Sequence, residues 1–240
     1  MSEVSRMGRT GRPRNTSFHA YKCEQGRIAQ RRLYPLTAFY SLYSVSVLIL
    51  ALRTAHPLLA LSFYFAGIPV WTLVEYLFHR FVLHGRFPPG EGFIRQFLHE
   101  RLDPLHWEHH EHPFDGLHIS GELKDLLPLF FLAAPASFLF PVYTLPALLA
   151  GVVQSYVAEE WIHYSLHFHN SRNPLFRRIK RYHLYHHSPR GMKMGMALLA
   201  AFGIKSSGPL SRGRFSIRFL DGNAFEGEAA KSRFLKTASP

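Results

Sequence analysis

A chain of 240 residues suits a single domain, and its hydrophobic fraction of 47% hides a strong segregation of apolar from charged segments. The one cysteine, Cys23, excludes an internal disulfide and a thiolate metal cluster. The net charge of +12, from 28 Lys+Arg against 16 Asp+Glu, raises nucleic acid as a partner, but the placement of the charges argues against it.

Residues 1–32 are rich in arginine and poor in acid, and read as a mostly disordered basic tail. The first apolar run starts only near residue 36, so no secretory signal peptide is expected. Residues 36–52 and 57–74 are uncharged and are separated by a turn around Arg53 and Pro57. Each sits at the short end of the roughly 17–25 residues that cross a bilayer core. Residues 75–125 are polar and rich in histidine. A second uncharged stretch, 126–158, is too long for one span, and Pro141 and Pro146 break it near the middle. Residues 159–200 are again rich in histidine, and 201–240 read as a divergent, disordered tail.

The expected fold is therefore an all-α membrane protein. About four transmembrane helices form two hairpins, with residues 33–200 as the integral domain. Four core helices of a soluble bundle are the alternative, but such helices keep a polar face, and these have almost none. The basic excess lies on both sides of the apolar block. Arg31 and Arg32 precede the first span, and Arg177, Arg178, Lys180 and Arg181 follow the last. The positive-inside bias then places both termini in the cytoplasm, at the bacterial inner membrane or the endoplasmic reticulum, with anionic headgroups as neighbours and no nucleic acid. Each hairpin returns the chain to the side it left, so both histidine-rich segments meet in one cytoplasmic cap.

Ten of the 16 histidines fall into four groups. His79 and His84 form HxxxxH, and His106, His109 and His110 form HxxHH. His163 and His167 form HxxxH, and His183, His186 and His187 form HxxHH again. Residues three and four apart share a helix face, so each HxxHH is expected to converge on one point. His79 and His84 do not share a face of a regular helix. His84 precedes Gly85 and is expected at or past the helix end, reaching back. A lone histidine is more often a hydrogen-bonding or surface residue than a ligand. Four spaced groups beside apolar helices are a different matter, because ionisable residues next to a membrane are costly and usually functional. Neutral imidazole is the commonest protein metal ligand and suits iron and zinc alike. Ten donors are too many for one ion. Two ions with about five nitrogens each would keep one open position apiece at roughly octahedral geometry.

Glu75 and Glu159 each stand one helical turn before a histidine, at His79 and His163, where a carboxylate could accept the second ring proton and fix the tautomer. No side chain is expected to act catalytically beyond the metal centre. His19, His56, His99, His112, His118 and His169 are set apart from the ligands.

The strings Glu75-Tyr76-Leu77-Phe78-His79 through His84, His106-Trp107-Glu108-His109-His110 and His183-Leu184-Tyr185-His186-His187 resemble the fatty acid hydroxylase superfamily. Within it the chain is most similar to the fatty acid 2-hydroxylases, on Thr72-Leu73-Val74-Glu75-Tyr76, Pro113-Phe114-Asp115, His163-Tyr164-Ser165-Leu166-His167 and Lys180-Arg181-Tyr182-His183. The resemblance covers about residues 70–195. It implies the ten histidines as ligands of two iron ions, with zinc able to take their place in purified material. It also implies molecular oxygen, a lipid substrate from the bilayer, and an orienting role for Asp115. No HPGG motif of a fused cytochrome b5 is present, so a separate electron donor, such as a cytochrome b5 or ferredoxin system, is expected. From about residue 197 the chain departs from the family's pattern. The expected activity is hydroxylation of a lipid acyl chain, at the 2-position of a fatty acid or ceramide-like lipid. A sterol or carotenoid oxidase or desaturase on the same plan is the alternative, and a non-catalytic metal-binding membrane protein is the rival of another class.

Overall fold

The computed structural model describes residues 14–188 and 191, except 86, 98, 101 and 102. The expected tail 201–240 lies outside the described residues. Of the described residues, those from Gln25 onward form one compact unit, and the helical residues 14–24 belong to another. Among the described residues the chain is helical and has no strand. Helix α1 is Arg14–Leu52 and α2 is Pro57–Phe78, and α2 continues into a π-helical turn, His79–Leu83. There follow α3 (Phe93–Phe97), α4 (Asp103–Glu111), α5 (Leu123–Ser137), α6 (Leu145–Phe168) and α7 (Pro174–His186).

α1 starts far upstream of the expected first span. Residues 14–32, assigned above to the basic tail, are its first turns. The physical reason is a stripe of buried positions three and four apart: Ala29, Leu33, Leu36, Tyr40, Ser44, Val47 and Ala51 are all at most 3% exposed. Charged residues between them lower the average hydropathy without breaking the stripe. Ala29 and Leu33 pack on Ile119 and Tyr164, which ties the start of the helix to the histidine-bearing segments.

α6 is the central element. Ser44 of α1 donates to the Ala150 carbonyl at 2.9 Å, and Trp161 donates to Thr37 Oγ1 at 2.8 Å. α2 crosses α6 at two facing glycines. A Cβ on Gly151 would stand 1.9 Å from the Tyr64 carbonyl oxygen, and one on Gly67 would stand 2.5 Å from Gly151 carbonyl carbon, so the backbones touch and neither position tolerates a side chain. Phe130 of α5 closes the core edge-on against Tyr40 and Tyr43.

Among the described residues two helices are long and apolar enough to cross a membrane, Phe18–Leu52 and Pro57–Leu83, both with hydropathy 1.7. Their outward residues include Leu42, Leu58 and Phe65, exposed by 57–78%. The break expected within 126–158 is present. Pro141 lies in the α5–α6 connection and Pro146 in the first turn of α6. α5 has only 15 residues, about 22 Å of helix, which is less than a bilayer core of about 30 Å.

Candidate metal centre

Each histidine pair or triplet is placed by a local feature. In the π-helical turn after α2, the His84 N–H donates to the His79 carbonyl at 3.0 Å, an i to i+5 bond. That wider turn brings His79 and His84 onto one face, with rings stacked 5.0 Å apart. His84 caps the turn, as expected from Gly85. The π geometry is the device the spacing alone did not reveal. α7 begins at Asn173, whose Oδ1 accepts from the Leu175 and Phe176 N–H groups, with Pro174 in the first turn.

The structure gathers all ten histidines into two groups of five, with one nitrogen of each within 4.8 Å of the others in its group. The first is His79, His84, His106, His110 and His186. The second is His109, His163, His167, His183 and His187. Neither HxxHH box converges on one point, contrary to the expectation from spacing. In α4 the i,i+4 pair His106 and His110 enters the first group while His109 enters the second. In α7 the i,i+4 pair His183 and His187 enters the second group while His186 enters the first. At about 100° per residue, positions i and i+4 lie about 40° apart, whereas i+3 points about 60° the other way. Both helices therefore run between the groups and serve each of them.

The ring arrangement gives the coordination shape. In the first group, His79, His106, His110 and His186 form a square with edges of 4.5–4.9 Å and a diagonal of 6.5 Å between His106 and His186. His84 stands 4.6–5.0 Å from all four, as an apex. The second group repeats this. His109, His163, His183 and His187 form a square with edges of 4.6–4.7 Å and a 6.5 Å diagonal, and His167 is the apex at 4.7–5.0 Å. Both are square pyramids, that is, octahedra with one corner open opposite the apex. The groups abut through stacked rings of His110 and His187, 4.5 Å apart.

The donors fit a metal. Nitrogens at about 2.0–2.1 Å from an ion stand about 3.0 Å apart when adjacent in an octahedron. In the first group His106 Nε2 lies 3.2, 3.1 and 3.0 Å from Nε2 of His79, His84 and His110. One imidazole proton cannot satisfy three such contacts, whereas a central cation satisfies every lone pair at once. Burial, followed by the neighbouring histidines, pushes His110 down to about 3 and His84 down to about 4. The same causes hold His106, His109, His183 and His187 well below the usual imidazole range. All are neutral at physiological pH, the form that ligates.

A cavity of about 130 Å³ adjoins both groups. Of the ten grouped histidines it is lined by His79, His106, His109, His163 and His183, all from the bases of the pyramids, and by neither apex. It therefore meets both groups at base corners, away from either apex. Glu75, Glu159 and Glu160 also line it. Trp71 donates to Glu159 Oε2 at 2.6 Å. Asp115 accepts from the His118 ring at 2.9 Å and from the Leu117 N–H at 2.9 Å, so it orients His118. His118, set apart from the site by its sequence position, lines the cavity with Ser120 and Gly121. The signal that could have found them is the buried Ile119 beside them in a polar loop. His112 and His169 are exposed, and His56 lies at the far α1–α2 turn beside Tyr143.

No family model matches the chain. Among curated proteins it is 36% identical over 129 residues to dihydroceramide fatty acyl 2-hydroxylase FAH2 of Arabidopsis thaliana, covering 50% of this chain and 49% of that one. It is 34% identical over 146 residues to the ceramide very long chain fatty acid hydroxylase SCS7 of Saccharomyces cerevisiae, covering 57% and 35%. Among solved structures, full-length scs7p, of which only the hydroxylase domain is visible, superposes with a TM-score of 0.61 at 28% identity over 75% of this chain and 69% of that one. The chain is a relative of the fatty acid 2-hydroxylases. The resemblance read from the histidine strings is thereby borne out in sequence and in fold. The chain spans about half the length of its Arabidopsis relative and about a third of the yeast one.

Proposed function

We propose that the chain is a membrane-integral di-iron hydroxylase that places a hydroxyl on carbon 2 of a lipid acyl chain, free or in a ceramide-like lipid. The observation that carries this reading is the pair of histidine pyramids opening onto one cavity, in a chain similar to 2-hydroxylases. Bound at the ten histidines, two iron ions supply oxidation of an unactivated C–H bond by molecular oxygen. The overall balance is R–H, O2, two electrons and two protons going to R–OH and water. The ten histidines would hold the ions, five nitrogens to each, and the cavity beside both groups would give the acyl chain access to them. Trp71 fixes Glu159 at the cavity wall. Glu75 and Glu159 are assigned to orienting His79 and His163. Zinc fits the same nitrogens but carries no redox chemistry, so activity should follow iron content. The electrons come from a separate carrier.

The same reading has residues 33–200 as the integral domain, with α5 and α6 completing four spans at the inner membrane or endoplasmic reticulum and the basic ends in the cytoplasm. Reporter fusions at residues 1 and 240 should both be cytoplasmic. Opposite sides would mean an odd number of spans.

The deciding experiment is expression with an electron-donor system, followed by mass spectrometry of hydrolysed lipids. The expected result is a 2-hydroxy acyl species that is absent from the vector control. An unchanged acyl pool with altered sterols or carotenoids would transfer the chain to that branch of oxidases.

A further inference from the structure

Of the two helices that serve both histidine groups, α7 gives His186 to the first and His183 and His187 to the second. It buries Ile179, His183 and His186 and turns its other face outward. Arg177 and Arg181, one turn apart, stand on that outer face, with Arg178 beside them, and all three are exposed. The other shared helix, α4, has acidic residues away from its histidines: Glu111 is exposed and Glu108 half-buried. The outward residues of the two shared helices thus carry opposite charge.

We propose that the Arg177–Arg178–Arg181 face of α7 docks a small acidic one-electron carrier protein. This rests on the hydroxylase reading, which needs an external source of electrons. Two reduced carriers dock in turn, each is oxidised by one electron, and the two electrons with two protons balance the insertion of one oxygen atom and the release of one water. Guanidinium groups pair carboxylates in a planar, two-pronged geometry, which suits an acidic protein surface. A helix with its side chains is about 10–12 Å across, so a carrier on this face comes within one helix width of His183 and His186. Anionic lipid is the rival occupant. Interfacial helices insert an apolar face beside their basic one, whereas Ile179 of α7 is packed inward with Leu166, Ile162 and Phe176.

The test uses the purified full-length protein in detergent and two soluble probes, a cytochrome b5 haem domain and a plant-type ferredoxin. Binding is measured at low and high salt for the wild type, for Arg177→Glu/Arg181→Glu and for Arg177→Lys/Arg181→Lys. At least one probe should bind the wild type with affinity that falls as salt rises. The glutamate pair should weaken it by at least about tenfold with metal content unchanged, and the lysine pair should keep most of it. Failure of the wild type to bind either probe, or unchanged affinity in the glutamate pair, would overturn the proposal. So would a glutamate pair that keeps carrier affinity but loses co-flotation with phosphatidylcholine–phosphatidylglycerol vesicles, which assigns the face to lipid. Single turnover after anaerobic reduction with dithionite separates the two readings. Product from the wild type with unchanged carrier affinity in the glutamate pair defeats docking alone, whereas no product defeats the hydroxylase reading.

Discussion

Replacing His110 by alanine should abolish product formation, by at least about 100-fold, which exceeds the loss typical of residues that only support a metal ligand. His110 belongs to the first group and touches the second. It is a corner of the first pyramid, its Nε2 lies 3.0 Å from His106 Nε2, and its ring stacks on His187 of the second. Its loss opens a second corner of one group and removes the shortest ring contact between the two groups. His186→Ala should behave alike, since its Nε2 lies within 3.2 Å of both His79 and His84. His112→Ala is the control on the same segment, exposed and two residues away, and His19→Ala also changes an exposed ring outside both groups. Both should keep most activity. The readouts are 2-hydroxy acyl product per mole of protein and bound metal. A fully active His110→Ala protein with both ions retained would remove His110 from the site.

Stripping the metals should cost the histidine-bearing segments much of their stability. Elemental analysis of loaded protein should give two ions per chain, and one ion would sink the two-metal reading. A ligand present at about 1,000 times its dissociation constant stabilises the folded state by about 4 kcal/mol, so chelation should lower the unfolding temperature markedly. The metal-free protein should also be acid-sensitive. In the folded chain His84 is held down to about 4 and His110 to about 3, by burial and then by the histidines around them. In the unfolded chain an imidazole titrates near about 6.5. Between these values the unfolded chain binds more protons, so stability rises with pH. It is fully present above about 6.5 and is lost as pH falls toward about 4 and then 3. Thermal unfolding of chelated protein across that window measures this, and a flat profile would show that the histidines are not buried together without metal. Loaded protein should resist to lower pH, until protons displace the ions.

Local chemistry along the chain already picked out the ten histidines that the structure gathers into two groups. HxxHH and HxxxH spacings put imidazoles on helix faces, and the apolar runs before them form helices long and apolar enough to cross a membrane. The same strings carried the resemblance to 2-hydroxylases. The helical break at Pro141 was legible too, because proline acts within one turn. What stayed hidden depended on partners distant in the chain. Residues 14–32 read as tail because their charges dominate the composition, yet Ala29 and Leu33 are fully buried once Ile119 and Tyr164 arrive to cover them. The π-helical turn that aligns His79 with His84 is stabilised by where those rings must go, and no residue within it announces it. The division of each HxxHH box between two groups is likewise tertiary. Helix geometry sets the angle between His106, His110 and His109, but only the placement of α2, α6 and α7 around α4 decides that the His106–His110 direction finds three more nitrogens and the His109 direction four. Sequence spacing specifies the donors because it is a property of one helix; the two open pyramids and their shared cavity exist only where several helices meet.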